Sequence, residues 1–252
     1  MHEAAFREMG IDARYLAFDV EPEGLGDALR GARALGIRQL AVSLPHKEAV
    51  IPLLDSVDET ARRIGAVNTV TLRGGRLEGA NTDWLGAVLA LERSGKLGGC
   101  RAVVLGAGGT ARAVVFGLLA RGARVTVLNR TPARAAALAR DLGAERAGPL
   151  EDLAELRCDV LVHTTSAGLR SDESPVPAEA LPAGARVLDA VYDPPETKLL
   201  RDARRRGCET IGGKWMLVEQ AAEQIRLWTG REAPRDVMAR AFDEARGPAR
   251  AT

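Results

Sequence analysis

Apolar β-rich runs that alternate with helix-forming runs predict an α/β protein in two units. These are an N-terminal α/β domain and a second domain wound around a glycine turn, with C-terminal helices returning to the first. Three observations carry this prediction. The run Val103-Val104-Leu105 stops at Gly106, and a helix-forming run, Ala111 to Ala120, begins almost at once. A further strand, Arg124 to Leu128, follows at the distance a βαβ unit requires. Two amphipathic stretches, roughly Lys214 to Trp228 and Arg235 to Ala245, come after the last strand of that unit, so they are expected to pack on the first domain.

The glycine turn reads G-x-G-x-x-A over Gly106, Ala107, Gly108, Gly109, Thr110 and Ala111. With little side chain in the way, a pyrophosphate can approach the amide N–H groups at the helix start, where the helix dipole also favours negative charge. A strand before it and a helix after it make this a Rossmann-type nucleotide site rather than an ordinary turn. At the end of the next strand an NAD unit usually presents an acidic residue to the ribose 2′-hydroxyl. Here stand Asn129, Arg130 and Thr131, with Arg134 a helical turn on. Two guanidinium groups suit a 2′-phosphate, so the expected cofactor is NADP. Thr131 is also expected to cap the following helix, with Pro132 in its first turn.

In chain order, a helix runs from His2 to Met9 and stops at Gly10, and Arg14 to Val20 alternates as a strand does. A helix from about Pro22 to Leu35 ends at Gly36. Strand Gln39 to Leu44 leads through Pro45-His46-Lys47-Glu48 into a short helix to Leu54. This alternation predicts a mostly parallel sheet. Helix Asp58 to Ile64 precedes strands Val67 to Leu72 and Arg76 to Gly79, joined at Gly74-Gly75 as a hairpin. A helix then runs to about Arg93. The second domain continues with strand Val160 to His163, the polar turn Thr164 to Gly168, and strand Arg186 to Tyr192. Helix Lys198 to Arg206 and strand Glu209 to Ile211 complete it. The expected division is 1–82 with 213–252 against 83–212. Residues 247–252 read as a frayed end.

Composition narrows the partners. The 252 residues carry 35 basic and 34 acidic side chains, a net charge of +1, with no basic stripe or charge block, which argues against nucleic acid and membrane surfaces. Three cysteines, Cys100, Cys158 and Cys208, are odd in number and lack metal-ligand spacing, which suits a reduced cytosolic protein with no structural disulfide and no bound metal. No apolar run reaches spanning length and no signal-peptide core stands at the N-terminus. A small-molecule substrate is expected, and monomer and homodimer both stay open.

Hydride transfer between NADP and a secondary alcohol needs a group that takes or supplies the hydroxyl proton. The cleft between the domains is where it should stand. Lys47 follows a strand and a proline, and Asp83 follows Asn81-Thr82 at the start of the inter-domain helix. A lysine facing a carboxylate in a half-buried cleft can relay a proton. Alone, Lys47 reads as a solvated lysine and Asp83 as a helix N-cap.

Taken together, six runs resemble the signatures of the shikimate dehydrogenase family. They are Ser43-Leu44-Pro45-His46-Lys47-Glu48, Gly65 to Thr69, Gly79 to Asp83, Gly106 to Ala111, Asn129-Arg130-Thr131, and Gly213 with Met216 to Gln220. They occur in family order over nearly the whole chain. The resemblance implies NADP-dependent interconversion of shikimate and 3-dehydroshikimate, on the route to chorismate and the aromatic amino acids. It implies Lys47 and Asp83 as the catalytic pair. Ser43, Asn68, Asn81, Thr82 and Gln220 then meet the substrate, and the glycine turn holds the pyrophosphate. Asn129, Arg130, Thr131 and Arg134 clamp the adenosine phosphate. Thr165, Val191, Tyr192, Gly213 and Met216 fall at the nicotinamide end, where core packing is an equal reading of Met216 and Tyr192.

The departures are as informative. Relatives carry a strand and a Ser-x-Ser-Pro loop before the histidine matching His2, and its serines hold the substrate carboxylate. This chain opens at Met1-His2, so the expectation is an upstream gene start or a fragment, with a short variant of weak or altered activity as the other reading. A quinate/shikimate enzyme of relaxed cofactor use, a nucleotide-binding protein without catalysis, and a bifunctional parent are the alternatives. His163, where many relatives carry asparagine, reads as a strand-end residue with no assigned role.

Overall fold

The computed structural model describes residues 1–245, and the fraying expected over 247–252 lies outside the described residues. Two sheets organise the chain. The first domain opens with α1 (His2–Glu8) and α2 (Leu25–Ala34). Its sheet contains β1 (Gln39–Ala41), β2 (Ser56–Val57), β3 (Thr69–Arg73) and β4 (Arg76–Ala80), in the order β1-β3-β4-β2. Helix α3 (Glu59–Ile64) lies between β2 and β3. The β3–β4 hairpin is formed as expected, with Leu72 opposite Leu77. The sheet is mixed rather than mostly parallel, since β1 and β4 both run antiparallel to β3. A tight hairpin can only join antiparallel strands, and it sits at the centre of this sheet.

Three further expectations for this domain are corrected. Residues 14–20 form no strand: they belong to no helix or strand, Leu16 and Phe18 are exposed, and they pair with no described strand. β1 stops at Ala41 rather than Leu44. The stretch from Pro45 to Leu54 is a run of turns closing in a short 3-10 segment, Ile51–Leu53, instead of a helix. Proline at 45 and 52 withholds backbone donors there.

Helix α4 (Asp83–Glu92) leads into the second domain. That domain contains β5 (Arg101–Leu105), α5 (Gly109–Ala120), β6 (Arg124–Leu128), α6 (Pro132–Leu142), β7 (Arg146–Gly148), β8 (Val160–His163), β9 (Arg186–Asp189), α7 (Lys198–Arg205) and β10 (Glu209–Ile211). All six strands are parallel, in the order β10-β9-β8-β5-β6-β7. β7 and the 3-10 segment Leu150–Glu155 went unforeseen, because three residues ending in glycine carry too little pattern. β9 ends at Asp189, short of Tyr192. The central strands are apolar on both faces, as helices on both sides demand: α5 and α6 cover one face, and Leu181, Leu199 and Leu200 fill the other.

The chain closes with α8 (Gly213–Thr229) and α9 (Arg235–Glu244). They return to the first domain as expected. Val218, Ala221, Ala222 and Ile225 of α8 share a core with Ala5 and Phe6 of α1 and Met238 of α9. Gln224 reaches back to the Asn68 carbonyl at 3.3 Å and the Thr69 hydroxyl at 3.0 Å. Helix α4 lies between α8 and α5, and Gly86 permits the closer of these contacts. A Cβ there would meet the Met216 carbonyl oxygen at 2.7 Å and Gln220 Cβ at 2.9 Å. The helix that carries Asp83 is therefore pressed backbone-close to the one that carries Gln220.

Candidate active site

Where β5 has β6 on one side and β8 on the other, the strand order reverses and a crevice opens beyond the carboxyl ends of the strands. The glycine turn lies there. Gly106 has φ +120° and an added Cβ would strike Thr164 Oγ1 at 2.5 Å, so this position requires glycine. Gly108 caps α5 and a Cβ on it would meet only open space. The first turn of α5 carries no acidic side chain, so the N–H groups of its leading residues suit an anion.

Across from the turn stands the predicted pair. Lys47 Nζ lies 2.6 Å from Asp83 Oδ2 and 3.1 Å from Thr110 Oγ1, so one ammonium touches both domains. Both side chains are largely withdrawn from water, at 12% and 7% exposure. Asp83 is not the helix cap. Its own N–H is received by Asn81 Oδ1 at 2.9 Å, and its carboxylate accepts from Lys47 and, at 2.8 Å, from Asn68 Nδ2. Each carboxylate oxygen thus has a charged or amide donor, which fixes it in the crevice.

Asn68 is the hub. Its Nδ2 also lies 3.0 Å from Thr82 Oγ1 and 3.2 Å from Gln220 Oε1, while its Oδ1 accepts the Thr82 N–H and the Thr69 hydroxyl, both at 2.8 Å. The structure therefore brings together Lys47, Asp83, Asn68, Thr82, Gln220 and Thr110. Asn81 serves as scaffolding, because its amide nitrogen is spent on the Ala66 carbonyl at 2.9 Å and its oxygen on the Asp83 N–H. Ser43 stays apart, on the exposed turn after β1, where only its carbonyl is engaged by the His46 N–H. Sequence reasoning missed Gln224 and Thr69, which brace the hub from behind. The signal was there, since Gln224 stands four residues beyond Gln220 on the same helical stripe.

At the far end of the crevice, Thr131 occupies the cap position of α6 but makes no capping bond with its hydroxyl; Asn129 Nδ2 holds that turn by donating to the Thr131 carbonyl at 3.0 Å. Arg130 and Arg134 are exposed, and neither has an ion-pair partner among the described residues. Glycine turn, clear helix start and two uncommitted guanidinium groups suit a dinucleotide that carries an extra phosphate. At the other end, Thr165 lies on the turn after β8. Val191 is buried, and half-exposed Tyr192 packs edge-on against Phe242 at 6.4 Å. Gly213 lets α8 begin against the Val191 and Ala190 carbonyls, which a Cβ would meet at 2.6 and 2.7 Å. Met216 is buried in the core between α4, α5 and the sheet, which is the packing reading of that residue.

Family profiles match three stretches of the chain. A family profile described as shikimate dehydrogenase substrate binding domain matches residues 1–70, and one described as shikimate / quinate 5-dehydrogenase matches 88–172. A third, the shikimate 5'-dehydrogenase C-terminal domain, matches 213–241. A protein named shikimate dehydrogenase (NADP(+)) from Thermococcus kodakarensis is 52% identical over 91% of this chain and 85% of its own length. The chain belongs to the shikimate dehydrogenase family. A second member so named, from Moorella thermoacetica, is 48% identical over 98% of this chain and 88% of its own. Among solved structures, the shikimate 5-dehydrogenase of Thermus thermophilus in complex with NADP(H) and shikimate superposes with a TM-score of 0.90, at 42% identity, covering 97% of this chain and 92% of that one. The shikimate dehydrogenase fold is also shared by the 5-ketofructose reductase of Gluconobacter sp. strain CHM43, at TM-score 0.84 and 36% identity over 96% of this chain and 91% of that one.

Proposed function

We propose that this protein is an NADP-dependent shikimate dehydrogenase, interconverting shikimate and 3-dehydroshikimate. The observation that carries the reading is the buried Lys47–Asp83 pair, held at 2.6 Å by Asn68 and touching the nucleotide turn through Thr110. Bound NADP would supply the hydride acceptor. The hydroxyl being oxidised then loses its hydrogen as a proton, and Lys47 with Asp83 takes that proton and passes it toward solvent. Positioned acid–base groups of this kind contribute about 10²–10⁴ in rate. In the reverse direction the ammonium of Lys47 supplies the proton to the carbonyl oxygen. Gln220, Thr82 and Asn68 would line the side where a polyhydroxylated ring presents its other hydroxyls, with Ser43 a further contact offered from the turn after β1.

Arg130, Arg134 and the free Thr131 hydroxyl support the 2′-phosphate grip and hence NADP over NAD. Gly106 to Ala111 would hold the pyrophosphate, and Thr165, Val191, Tyr192 and Gly213 would surround the nicotinamide end. The functional division that fits this arrangement is 1–82 with 213–252 against 83–212. Three free cysteines fit a reducing cytosol. No described helix is long and apolar enough to cross a membrane.

The test is direct. Purified protein should form NADPH from NADP⁺ when given shikimate, more slowly with quinate, and scarcely with NAD⁺. Reduction of 5-ketofructose in preference to 3-dehydroshikimate would move the protein to the sugar-reducing branch of the fold. NADP⁺ binding without turnover of any of these polyols would reduce it to a nucleotide-binding protein.

A further inference from the structure

A second buried polar chain stands on the opposite wall of the crevice from Lys47 and Asp83. β8 ends at His163 and β9 at Asp189, neighbours in register, and both side chains are fully buried. His163 Nδ1 lies 2.8 Å from Asp189 Oδ1, and Nε2 lies 2.6 Å from Thr165 Oγ1. Asp189 also accepts the Val191 N–H at 2.9 Å and the Thr197 hydroxyl at 2.5 Å. Three donors converging on one carboxyl group make it an acceptor throughout, so the ring proton belongs on Nδ1. Nε2, on the other side of the ring, is left to the Thr165 hydroxyl. Thr165 Oγ1 also receives the Ala167 N–H at 3.2 Å, which ties the hydroxyl to the turn it stands on.

The intervening residue fixes the same turn from the other side. Thr164 donates both its N–H, at 2.9 Å, and its hydroxyl, at 2.8 Å, to the Leu105 carbonyl. Its Oγ1 is the atom that the missing Cβ of Gly106 leaves room for. The turn after β8 is therefore packed on the nucleotide turn after β5, and its shape is set by a histidine that bridges two partners with opposite ring nitrogens.

We propose that His163 is a positioning residue. By bridging Asp189 and Thr165 it holds the 164–168 turn in the form that admits the dinucleotide beside Gly106. This rests on the NADP reading above. The asymmetry of the bridge makes the role specific: Asp189 fixes the ring, and the ring fixes the hydroxyl.

The experiment compares wild type with His163→Asn and Thr165→Val. It measures the NADP⁺ dissociation constant without substrate, then KM for each substrate and kcat. Loss of the bridge should raise the NADP⁺ dissociation constant about tenfold or more in His163→Asn and Thr165→Val, the worth of one hydrogen bond to a charged or polarised group. KM for shikimate should stay within about twofold. A far-downfield imidazole proton resonance should be present in wild type and Thr165→Val and absent in His163→Asn. If His163→Asn fails to fold, Thr165→Val, which keeps the Asp189–His163 pair, carries the test. Folded variants that bind NADP⁺ as tightly as wild type overturn the proposal alone, as does an equal loss across both substrates and kcat. A wild type that does not bind NADP⁺ overturns the nucleotide reading and this role with it.

Discussion

The two ends of the crevice are built on opposite plans. At the chemical end, Lys47, Asp83, Asn68 and Thr82 are buried, and every polar atom of the hub has a partner inside the protein. At the adenosine end, Arg130 and Arg134 stand in solvent with no described ion pair, on a helix start whose cap hydroxyl is unused. Buried charges persist only when paired, and once paired they cost nothing to reorganise at the moment of reaction. Exposed cations keep their charge without partners and lose little on waiting for a ligand. The first plan serves rate and the second serves affinity, so substitutions at the two ends should separate cleanly into those effects.

The largest effect should come from the buried end. Lys47→Ala or Asp83→Asn should lower kcat by about 10²–10⁴ with NADP⁺ affinity little changed, measured by steady-state rates and by binding. Equal loss of nucleotide affinity would break the separation. Next comes the exposed end. Arg130→Ala with Arg134→Ala should weaken NADP⁺ by about 10–100-fold, leave NAD⁺ binding nearly untouched, and keep kcat, since two charge-assisted contacts to the phosphate are lost. The melting temperature should barely move, because neither guanidinium is engaged in the free protein.

The dependence of the buried end on packing gives a smaller effect. Gly86→Ala should cost about 1–3 kcal/mol of stability by pushing α8 from α4, and it should lower kcat although residue 86 faces no ligand. The same substitution on the exposed end, at Arg134, should do neither. The smallest effect lies behind α8. Burial, with the N-terminal charge next, lowers the His2 pKa from 6.5 to about 4, and its Nε2 has no partner among the described residues. The unfolded chain therefore takes up a proton that the folded chain refuses. Stability is complete above about pH 6.5 and falls as pH drops toward 4, by up to about 2 kcal/mol once local opening of α1 is allowed for. Denaturant midpoints measured over that range should show the slope, and His2→Gln should flatten it.

The second domain was legible in the sequence because its signals are local. A glycine turn, two apolar strands and a capped helix are each written in consecutive residues, and the parallel order follows from βα alternation. The first domain was less so. Its sheet is mixed because the hairpin at Gly74-Gly75 dominates it, and Arg14 to Val20 shows the pattern of a strand without a described neighbour to make it one. Lys47 and Asp83 were each ambiguous singly, and family resemblance rather than spacing paired them. The sequence shows no difference in kind between Asn68, Asn81 and Ser43, whereas in the fold Asn81 bonds the Ala66 carbonyl and the Asp83 N–H, and Ser43 stands on a turn. The Asp189–His163–Thr165 chain was invisible for a physical reason: it joins two strands far apart in sequence that become neighbours only when the sheet closes.

The central claim is that Lys47 and Asp83 act as one unit on the proton of the reacting hydroxyl. The most direct measurement is kcat for shikimate oxidation in Lys47→Ala, in Asp83→Asn and in the two combined, at saturating NADP⁺. The account predicts that the double variant is no slower than the slower single one, because either change already destroys the unit. Losses that multiply in the double variant, or single variants that retain most of the rate, would contradict it.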